Sequence, residues 1–331
     1  MSDDIEIMRA VYAESYGTPE NLIVGDFPKF VAGPGEILIN TKAAGVAFHD
    51  GLQLSGKHQI KHQMPYVPGM EIAGTIAELG DGVDGPAIGT PVMALSKGNA
   101  WAEFAKVDAS QVWLMPDGVG YPEAAAISMA FSTAHCGLKW EAEVQPGEVV
   151  LVTGASGSVG QAAVEIAKIM GARVIAVAST EERLSMAKGY GADDGINYTD
   201  VSVKEAVMEL TGGKGVDVAF DPVMGSLFPD VLSSLAWGGR HVIIGFAGGE
   251  IPQIPSNRLL IKNRRALGMV MTYYRYDKAD KMLETATTLL GWCAEGKIHP
   301  PITKTGPWAK APEFLSEIME RKLIGRAILV A

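Results

Sequence analysis

The chain has 331 residues, of which 47% are hydrophobic and 20% are charged; this length allows two domains or one large one, and the hydrophobic share excludes a mainly disordered chain. Its 28 basic and 38 acidic side chains give a formal net charge of −10, which disfavours general binding to nucleic acid or to anionic membranes. With Cys136 and Cys293 as its only cysteines, the chain cannot build a disulfide framework or a four-thiolate zinc site.

The amino-terminal segment and the apolar runs predict a cytoplasmic protein. Residues 1–8 are acidic where a secretory signal is basic, and no long apolar segment follows them. The best candidate for a membrane span, 124–131, is far shorter than the ~20 residues that a span needs, and it contains Ser128. We therefore expect neither secretion nor a membrane span.

Short strands separated by turns fill the first part of the chain, up to about residue 125. Residues 37–44 and 91–95 are typical of these strands, and Gly-Pro-Gly at 33–35 is typical of the turns. This pattern predicts a small β-rich, barrel-like domain. After about residue 265 we expect a further β-like stretch, two amphipathic helices and a last strand at 326–330.

From about residue 125, apolar runs of strand length alternate with helical stretches, which predicts βαβ units and a parallel sheet. A strand at 148–153 runs directly into the glycine-rich loop 154–160, and a second strand follows at 172–178. Between them, apolar residues at three- and four-residue spacing predict a helix that begins near Val159. A glycine pattern alone can be a structural turn, but this order of elements favours a dinucleotide-binding loop.

The predicted loop offers backbone amides to a diphosphate. Ala155 occupies the first position of the usual G-x-G-x-x-G pattern, while Gly157 and Gly160 keep the two later glycines. Gly157 lets the backbone approach a pyrophosphate, and Gly160 lets the helix pack closely on the strand. The helix dipole favours negative charge at this end. The predicted contacts are Ser156, Gly157, Ser158, Val159 and Gly160.

The end of the second strand indicates which dinucleotide binds. NAD enzymes usually place a carboxylate there, and a carboxylate would repel a 2′-phosphate. Here Ser179, Thr180 and Arg183 can donate hydrogen bonds to that phosphate, so the sequence favours NADPH over NADH. Against this, Glu181 and Glu182 follow at once, and Arg183 can also be an exposed helix residue.

Later strands supply the remaining predicted cofactor contacts. Ligands of doubly wound sheets bind at the carboxyl ends of strands, and strands are predicted at 216–221 and 240–245. We expect Asp221 either to contact the cofactor or to be a turn residue ahead of Pro222. Tyr198, after a third strand, lies on the adenosine side or only packs there. The other predicted contacts, on the nicotinamide side, are Val223, Gly245, Phe246 and Ala247.

The set and order of the motifs resemble the medium-chain dehydrogenase/reductase superfamily, and within it the chain looks like the zinc-free quinone oxidoreductase branch. The resemblance covers essentially the whole chain. It is carried by Ala44-Gly-Val-Ala-Phe-His-Asp50, Pro65-Tyr-Val-Pro-Gly-Met-Glu-Ile-Ala-Gly-Thr75, Gly154-Ala-Ser-Gly-Ser-Val-Gly160, Gly189-Tyr-Gly-Ala-Asp-Asp-Gly-Ile-Asn-Tyr198 and Leu235-Ala-Trp-Gly-Gly-Arg240.

The resemblance implies an α/β fold with two domains that meet at a cleft. It implies a GroES-like, β-rich catalytic domain formed by 1–125 with 266–331, and a Rossmann domain with a doubly wound parallel sheet, 126–265, that binds NADPH. It also implies a homodimer that forms through sheet edges. The strand expected to make that contact is 266–272.

The resemblance also bears on zinc. Zinc-dependent relatives bind the catalytic metal through a cysteine and a histidine at positions that hold Ala47 and Met70 here, and neither side chain binds zinc adequately. We therefore expect no metal. Substitute ligands, in sequence that is more simply explained as a solvated loop, would be His49, His58, His62 and Glu71.

Without a Lewis acid, the acceptor must take hydride readily, as quinones and α,β-unsaturated carbonyl compounds do. We therefore predict hydride transfer from NADPH to such a small electrophilic molecule. Asp50 and Thr133 are the candidates that orient substrate or donate a proton, although Asp50 can be a helix N-cap and Thr133 a helix-start residue. His58 is a further candidate for proton delivery near neutral pH.

Two alternatives stay open. An enoyl thioester reductase would need cations for a pantetheine-bearing substrate, and Lys262, Arg264 and Arg265 can supply them unless they form a solvated turn. A non-catalytic, structural NADPH-binding protein is the second alternative, because the resemblance includes such recruited proteins. It is supported by Ala47, where many relatives carry Asn, and by His58 and Phe131, where many relatives carry Tyr.

Overall fold

The computed structural model describes residues 6–331. Contacts divide the chain into a first unit, which runs up to Met129 and includes Ala286–Ala331, and a second unit, Ala130–Thr285. The strands are β1 (Ile7–Tyr12), β2 (Ile23–Pro28), β3 (Glu36–Val46), β4 (Glu71–Leu79), β5 (Pro91–Leu95), β6 (Phe104–Asp108), β7 (Val112–Leu114), β8 (Val149–Thr153), β9 (Arg173–Ala178), β10 (Asp194–Asn197), β11 (Val216–Asp221), β12 (Leu235–Ile243), β13 (Arg265–Gly268), β14 (Ile302–Gly306) and β15 (Arg326–Val330).

Helices connect most of these strands. They are α1 (Phe48–Leu54), α2 (Tyr121–Ser128), α3 (Ala130–His135), α4 (Ser158–Ile169), α5 (Glu181–Gly189), α6 (Val203–Leu210), α7 (Phe228–Ser234), α8 (Ser256–Ile261), α9 (Met271–Tyr276), α10 (Ala279–Ala294) and α11 (Ala311–Met319). A π-helical segment, Cys136–Glu141, continues α3. Within residues 6–331, none of the helices combines the length and the apolar character that crossing a bilayer requires.

The first unit is built mainly of antiparallel strands. β1 pairs with β2, and a seven-stranded sheet has the order β14-β15-β3-β4-β5-β7, with β6 paired to β3. All pairs of that sheet are antiparallel except β14 with β15. Burial alternates along β6, so that Ala105 and Val107 face the core. This β-rich unit agrees with the strand and turn pattern of the first part of the chain.

A buried tryptophan ties the core of the first unit to its longest strand. Trp101 is fully buried, and its Nε1 donates a hydrogen bond to the carbonyl oxygen of Gly45 at 2.9 Å. Burial of an indole N–H is favourable only when it finds such a partner. The bond fixes the carboxyl end of β3, which leads directly into α1.

The second unit is a parallel sheet with helices between the strands. Its order is β10-β9-β8-β11-β12-β13, and every pair is parallel. The chain order therefore reads 3-2-1-4-5-6, which is the doubly wound Rossmann arrangement. Val150, Leu151 and Val152 of β8 are all fully buried, as expected of a strand covered on both faces. The predicted α/β fold is confirmed.

The boundary of the second unit differs from the expected one near its end. Residues 266–285, which the resemblance assigned to the GroES-like domain, lie in the second unit, because β13 pairs in parallel with β12. The expected strand 266–272 is also shorter: it ends at Gly268, and Met271 already begins α9. A run this short does not cover enough residues for its periodicity to separate a strand from the start of a helix.

Candidate functional site

The glycine-rich loop between β8 and α4 has the geometry of a phosphate-binding turn. Gly154 has φ of +58°, a left-handed conformation that favours glycine. A Cβ atom on Gly160 would lie 2.2 Å from the carbonyl oxygen of Gly154, so only glycine allows α4 to pack against the loop. At Gly157, by contrast, a Cβ would meet only that same oxygen, at 3.4 Å. Gly157 is exposed and leaves room for a ligand.

The amino end of α4 supplies donors beside this open position. α4 has 12 residues and begins at Ser158, with Gly157 as its N-cap residue. The first-turn amides of a helix have no carbonyl partner within it, and the helix dipole adds partial positive charge there. The loop therefore fits a diphosphate. The structure brings together all five residues predicted for this contact, namely Ser156, Gly157, Ser158, Val159 and Gly160.

An arginine from α5 reaches this loop. The guanidinium of Arg183 donates from Nη1 to the hydroxyl of Ser156 at 3.1 Å, and Ser156 is buried. Thr180 is the N-cap of α5, where its hydroxyl accepts a hydrogen bond from the amide of Arg183 at 3.3 Å. The hydroxyl of Thr180 thus has a capping role, while Arg183 reaches the loop with a group that can donate to a phosphate. Ser179 directly follows the end of β9.

Tyr198 follows β10, next to the end of β9. Its amide donates to the carbonyl oxygen of Ala178 at 3.1 Å, and its side chain is 39% exposed. Thr199 adds a long side-chain bond to the carbonyl oxygen of Ser179, at 3.5 Å. These bonds join the turns after β9 and β10, and the partly exposed ring of Tyr198 is left available for a contact on this side.

Asp221, at the end of β11, organises the turn that follows. Its Oδ1 accepts hydrogen bonds from the hydroxyl of Thr153 and from the amides of Val223 and Met224, at 2.5, 3.0 and 2.8 Å, and its Oδ2 lies 2.9 Å from Nε2 of His241. Burial raises the pKa of Asp221, but the interactions with His241, Met224 and Thr153 outweigh it and hold the pKa below its ordinary value. Of the two roles considered for Asp221, the structure shows the turn residue.

The turn after β11 is also joined to the loop after β12. The amide of Ala247 donates to the carbonyl oxygen of Pro222 at 3.1 Å. Val223 packs against the glycine loop, since a Cβ on Gly154 would lie 2.9 Å from its Cγ2. Three expected contacts on the nicotinamide side are thus held near the carboxyl ends of β8, β11 and β12: Val223, Gly245 and Ala247. Phe246 lies between the last two and is 43% exposed.

Thr133 is not the helix-start residue that the sequence allows it to be. α3 begins at Ala130, so Thr133 lies within the helix, and its side chain is 8% exposed. Phe131, of the same helix, is fully buried. Beside it, the hydroxyl of Ser132 is buried and has no hydrogen-bond partner, a group that the sequence analysis missed.

The polar residues of the first unit form a second group of interest. Asp50 is the third residue of α1 rather than its N-cap, and its Oδ2 accepts a hydrogen bond from the amide of Ala47 at 2.8 Å. The side chain of Asp50 is 1% exposed, and its Oδ1 lies 3.3 Å from Nε2 of His49, whose side chain is 24% exposed. Only His49 of this pair therefore reaches the surface.

A buried ion pair lies near His49 and Asp50. Arg326 of β15 donates from Nη2 to Oε2 of Glu71 of β4, and both side chains are buried. A Cβ on Gly45 would lie 2.0 Å from that carboxylate oxygen, so the pair sits directly on the backbone of β3. We call His49, Asp50, Glu71 and Arg326 the polar cluster. In the sequence, His49, Asp50 and Glu71 are separate candidates, and no local pattern predicts their association.

Two other histidines of the first unit have different surroundings. Burial and the nearby His49 lower the pKa of His58, whose Nδ1 accepts a hydrogen bond from the amide of Ile60 at 3.1 Å. The ring of His62 stacks on Tyr66 with the centroids 4.2 Å apart, and burial lowers its pKa. Both rings are therefore neutral near pH 7, which does not suit His58 for donating a proton.

Comparison with known proteins agrees with both units. The alcohol dehydrogenase GroES-like domain family matches residues 33–117, and the zinc-binding dehydrogenase family matches residues 158–287. Quinone oxidoreductase-like protein 2 of Rattus norvegicus is 37% identical over 298 residues, which cover 90% of this chain and 85% of the relative. The chain belongs to the quinone oxidoreductase branch of the medium-chain dehydrogenase/reductases.

Solved structures of this superfamily share the fold over nearly the whole chain. A mycobacterial protein solved in complex with NADPH has 30% identity and a TM-score of 0.89, and the match covers 98% of this chain and all of the other. A 2-haloacrylate reductase has 26% identity and a TM-score of 0.88, with 98% and 99% of the two chains covered. The protein is therefore an oxidoreductase of the medium-chain dehydrogenase/reductase superfamily.

The zinc that one family name implies does not fit the residues present. The sulfur of Met70 receives the amide of Gln53, with 3.5 Å between Nε2 and Sδ, and the carboxylate of Glu71 is paired with Arg326. Within residues 6–331, no group of three or more His, Cys, Asp or Glu side chains has an arrangement that can hold a metal ion.

The cations proposed for a thioester substrate lie at the amino ends of the Rossmann strands, opposite to the end that carries the glycine loop. Arg264 donates from Nη2 to the carbonyl oxygens of Ser233 and Leu235, at 2.9 and 2.5 Å, so it ties α7 to β12. Lys262 lines a cavity of about 590 Å³ together with Trp237. Lys262, Arg264 and Arg265 all precede or begin β13, at the amino ends of the strands, whereas the glycine loop follows the carboxyl end of β8.

Proposed function

We propose that this medium-chain dehydrogenase/reductase is a zinc-independent oxidoreductase that reduces a quinone or an α,β-unsaturated carbonyl compound with NADPH. The observation that carries the cofactor choice is the Arg183–Ser156 pair at the glycine loop, with Ser179 where NAD enzymes place a carboxylate. The solved neighbour with NADPH and the 2-haloacrylate reductase, named for an activated alkene, support the proposal.

The second unit would bind the cofactor through its own groups. The amides at the start of α4 bind the diphosphate, and the side chains of Ser179 and Arg183 donate to the 2′-phosphate. Asp221 holds the turn beside the nicotinamide half in one conformation, through the four contacts of its carboxylate. When bound, NADPH supplies the hydride, and the protein supplies orientation and exclusion of water.

The test of this function is NADPH oxidation measured across quinones, enones and enoyl thioesters, with and without a metal chelator. We expect turnover with at least one quinone or enone and no effect of the chelator. Loss of turnover with chelator would overturn the zinc-independent mechanism, and turnover of thioesters alone would favour the enoyl thioester reductase. Tight NADPH binding without oxidation by any acceptor would favour the structural, non-catalytic protein.

Arg183→Ala tests the choice of cofactor. Because a hydrogen bond to a charged group contributes about 1.5–3 kcal/mol, we expect the dissociation constant for NADPH to rise about tenfold or more and that for NADH to change little. Fluorescence titration of both nucleotides measures the two constants. Lys188→Ala, which removes an exposed cation from the same helix, is the control and should leave both unchanged. Equal weakening of NADPH and NADH by Arg183→Ala would contradict the assignment.

We further propose that two copies of the chain associate through the edge of the Rossmann sheet. β13 is the last strand of that sheet, and an edge strand presents unpaired backbone donors and acceptors. Leu260 and Ile261 of the adjacent α8 are 82% and 66% exposed, which is unusual for large apolar side chains unless a partner covers them. Leu260→Asp should convert a dimer into a monomer in light scattering; a monomeric unsubstituted protein would rule the dimer out.

A further inference from the structure

The cavity of about 590 Å³ in the second unit lies at the amino ends of four neighbouring strands of the Rossmann sheet. Its walls come from the first one or two residues of β9, β8, β11 and β12 and from the segments that precede the strands. The glycine loop follows the carboxyl end of β8, at the opposite end of the same sheet. The cavity is therefore separate from the proposed cofactor loop, and its volume is within the range of small-molecule sites, roughly 300–1,000 Å³.

An irregularity at the start of β12 places Trp237 at this cavity. Between the pairs Val216–Leu235 and Val218–Arg240, one residue of β11 faces four residues of β12, so this part of β12 bulges out of the sheet. Trp237 belongs to the bulge, lines the cavity and is 74% exposed, more than any other tryptophan in residues 6–331. Bulges redirect side chains, often beside binding sites. The bulge thus offers a large aromatic surface on which a planar ligand can stack.

Backbone contacts hold the bulge against the two segments that supply lysines to the cavity. The amide of Gly238, whose φ is +70°, donates to the carbonyl oxygen of Lys262 at 2.8 Å. A Cβ on Gly215 would lie 2.4 Å from the carbonyl oxygen of the residue that precedes β12, so the loop that contains Lys214 packs directly on the start of that strand. The aromatic ring of Trp237 and the two amines therefore belong to one fixed wall.

The lysines of the cavity have no anionic partner. Within residues 6–331, the side-chain amines of Lys214 and Lys262 form neither an ion pair nor a hydrogen bond with a protein group. The guanidinium of Arg173 is paired with Asp194, and Oδ2 of Asp217 accepts the backbone amide at the start of β8, at 2.8 Å. In a chain with a net charge of −10, this is a local excess of positive charge, which attracts anions.

The positive charge extends beyond the residues that line the cavity. Burial lowers the pKa of Lys262, and the nearby charges of Arg264 and Lys204 lower it further. Arg264 donates to backbone carbonyl oxygens rather than to a carboxylate, so no ion pair compensates its charge. An anion bound beside Lys262 would relieve the repulsion among these three cations.

We propose that this cavity is a second binding site and that its ligand is a nucleoside monophosphate. The indole of Trp237 stacks on the base, and the amines of Lys214 and Lys262 bind the phosphate. The other carboxylate oxygen of Asp217, Oδ1, accepts hydrogen bonds from the ribose hydroxyls, as acidic residues do in other nucleotide sites. A single phosphate suits the cavity better than a chain of phosphates, because Asp217 repels additional negative charge.

Fluorine NMR of the protein labelled with 5-fluorotryptophan tests this site without a measurement of activity. The chain has six tryptophans, and the Trp237 signal is assigned by its loss in Trp237→Phe. We expect AMP to shift this signal in a saturable manner. Adenosine lacks the phosphate and ribose 5-phosphate lacks the base, so each should bind about tenfold more weakly or worse. The absence of a saturable shift with AMP overturns the proposal, and so does equal affinity for adenosine or for ribose 5-phosphate.

Lysine variants show whether AMP binds in the cavity. Lys214→Gln and Lys262→Gln each remove one cation, and each should raise the dissociation constant for AMP about five- to tenfold. Lys188→Gln, at an exposed lysine of α5 that does not line the cavity, is the matched control and should leave the constant unchanged. Unchanged AMP affinity in the double variant Lys214→Gln/Lys262→Gln overturns the proposal. Thermal unfolding curves that match the unsubstituted protein show that weaker binding is not the result of misfolding.

The outcomes separate this site from the proposed function, because the cavity does not include the glycine loop. AMP binding at Trp237 in a protein that oxidises no NADPH with any acceptor supports the cavity site and overturns only the reductase. Oxidation of NADPH by a protein whose Trp237 signal does not respond to AMP overturns the cavity site and leaves the reductase intact.

Discussion

Arg326→Met is expected to lower the free energy of unfolding of the first unit by about 3–5 kcal/mol. Arg326 is 4% exposed and Glu71 is fully buried, and the two are joined by a direct ion pair. Removal of the guanidinium leaves the Glu71 carboxylate in the interior without its cation, and an unpaired buried charge costs far more than a lost surface pair. Denaturant unfolding, followed by hydrogen exchange of the β3, β4 and β15 amides, measures the loss in this unit.

The matched control for this prediction removes both charges. Replacement of a buried ion pair by apolar residues of similar volume is often neutral or stabilising, so Glu71→Met combined with Arg326→Met should be more stable than Arg326→Met alone. Glu71→Gln, which keeps the shape but not the charge, should also be destabilised, because Arg326 then lacks its anion. If the double variant were less stable than both single variants, packing rather than charge would explain the effect.

The sequence predicts best those elements that a pattern of neighbouring residues defines. The strand expected at 216–221 is β11 with the same limits, and the loop 154–160 lies between a strand and a helix as its motif requires. In both cases the element is identified by its own apolar pattern and its flanking residues, which together span fewer than about 20 positions. The order 3-2-1-4-5-6 of the sheet then follows from chain connectivity with right-handed crossovers.

The sequence does not show contacts between residues that are far apart along the chain. Glu71 and Arg326 are 255 positions apart, and neither residue has a local signal that requires an ionic partner. Asp221 likewise contacts Thr153, 68 positions away, and His241, 20 positions away. For His49 a signal existed, since a histidine directly before a candidate carboxylate on one helical turn can pair with it, but only burial shows which of the two reaches solvent.

Gly160→Ala is expected to disrupt the second unit itself. The added methyl carbon would lie 2.2 Å from the carbonyl oxygen of Gly154 and 2.9 Å from Cα of Ala155, so α4 must move away from the loop. Backbone atoms cannot yield as a flexible side chain does, and we expect a loss of about 3 kcal/mol or more in the free energy of unfolding. Thermal unfolding in the absence of cofactor measures it, and an unchanged midpoint would contradict the close packing seen here.

Gly157→Ala provides the matched comparison, because it adds the same methyl group three positions earlier in the same loop. Gly157 has a negative φ and its Cβ would meet a single atom, at 3.4 Å, so the protein without cofactor should unfold like the unsubstituted one.

The methyl group of Gly157→Ala would instead occupy the space that a diphosphate needs. NADPH at 100 times its dissociation constant stabilises a protein by about 2.7 kcal/mol, and this stabilisation should nearly vanish in Gly157→Ala. The two variants therefore separate the glycine that packs the helix from the glycine that admits the ligand. An undiminished stabilisation by NADPH in Gly157→Ala would show that the cofactor does not bind at this loop.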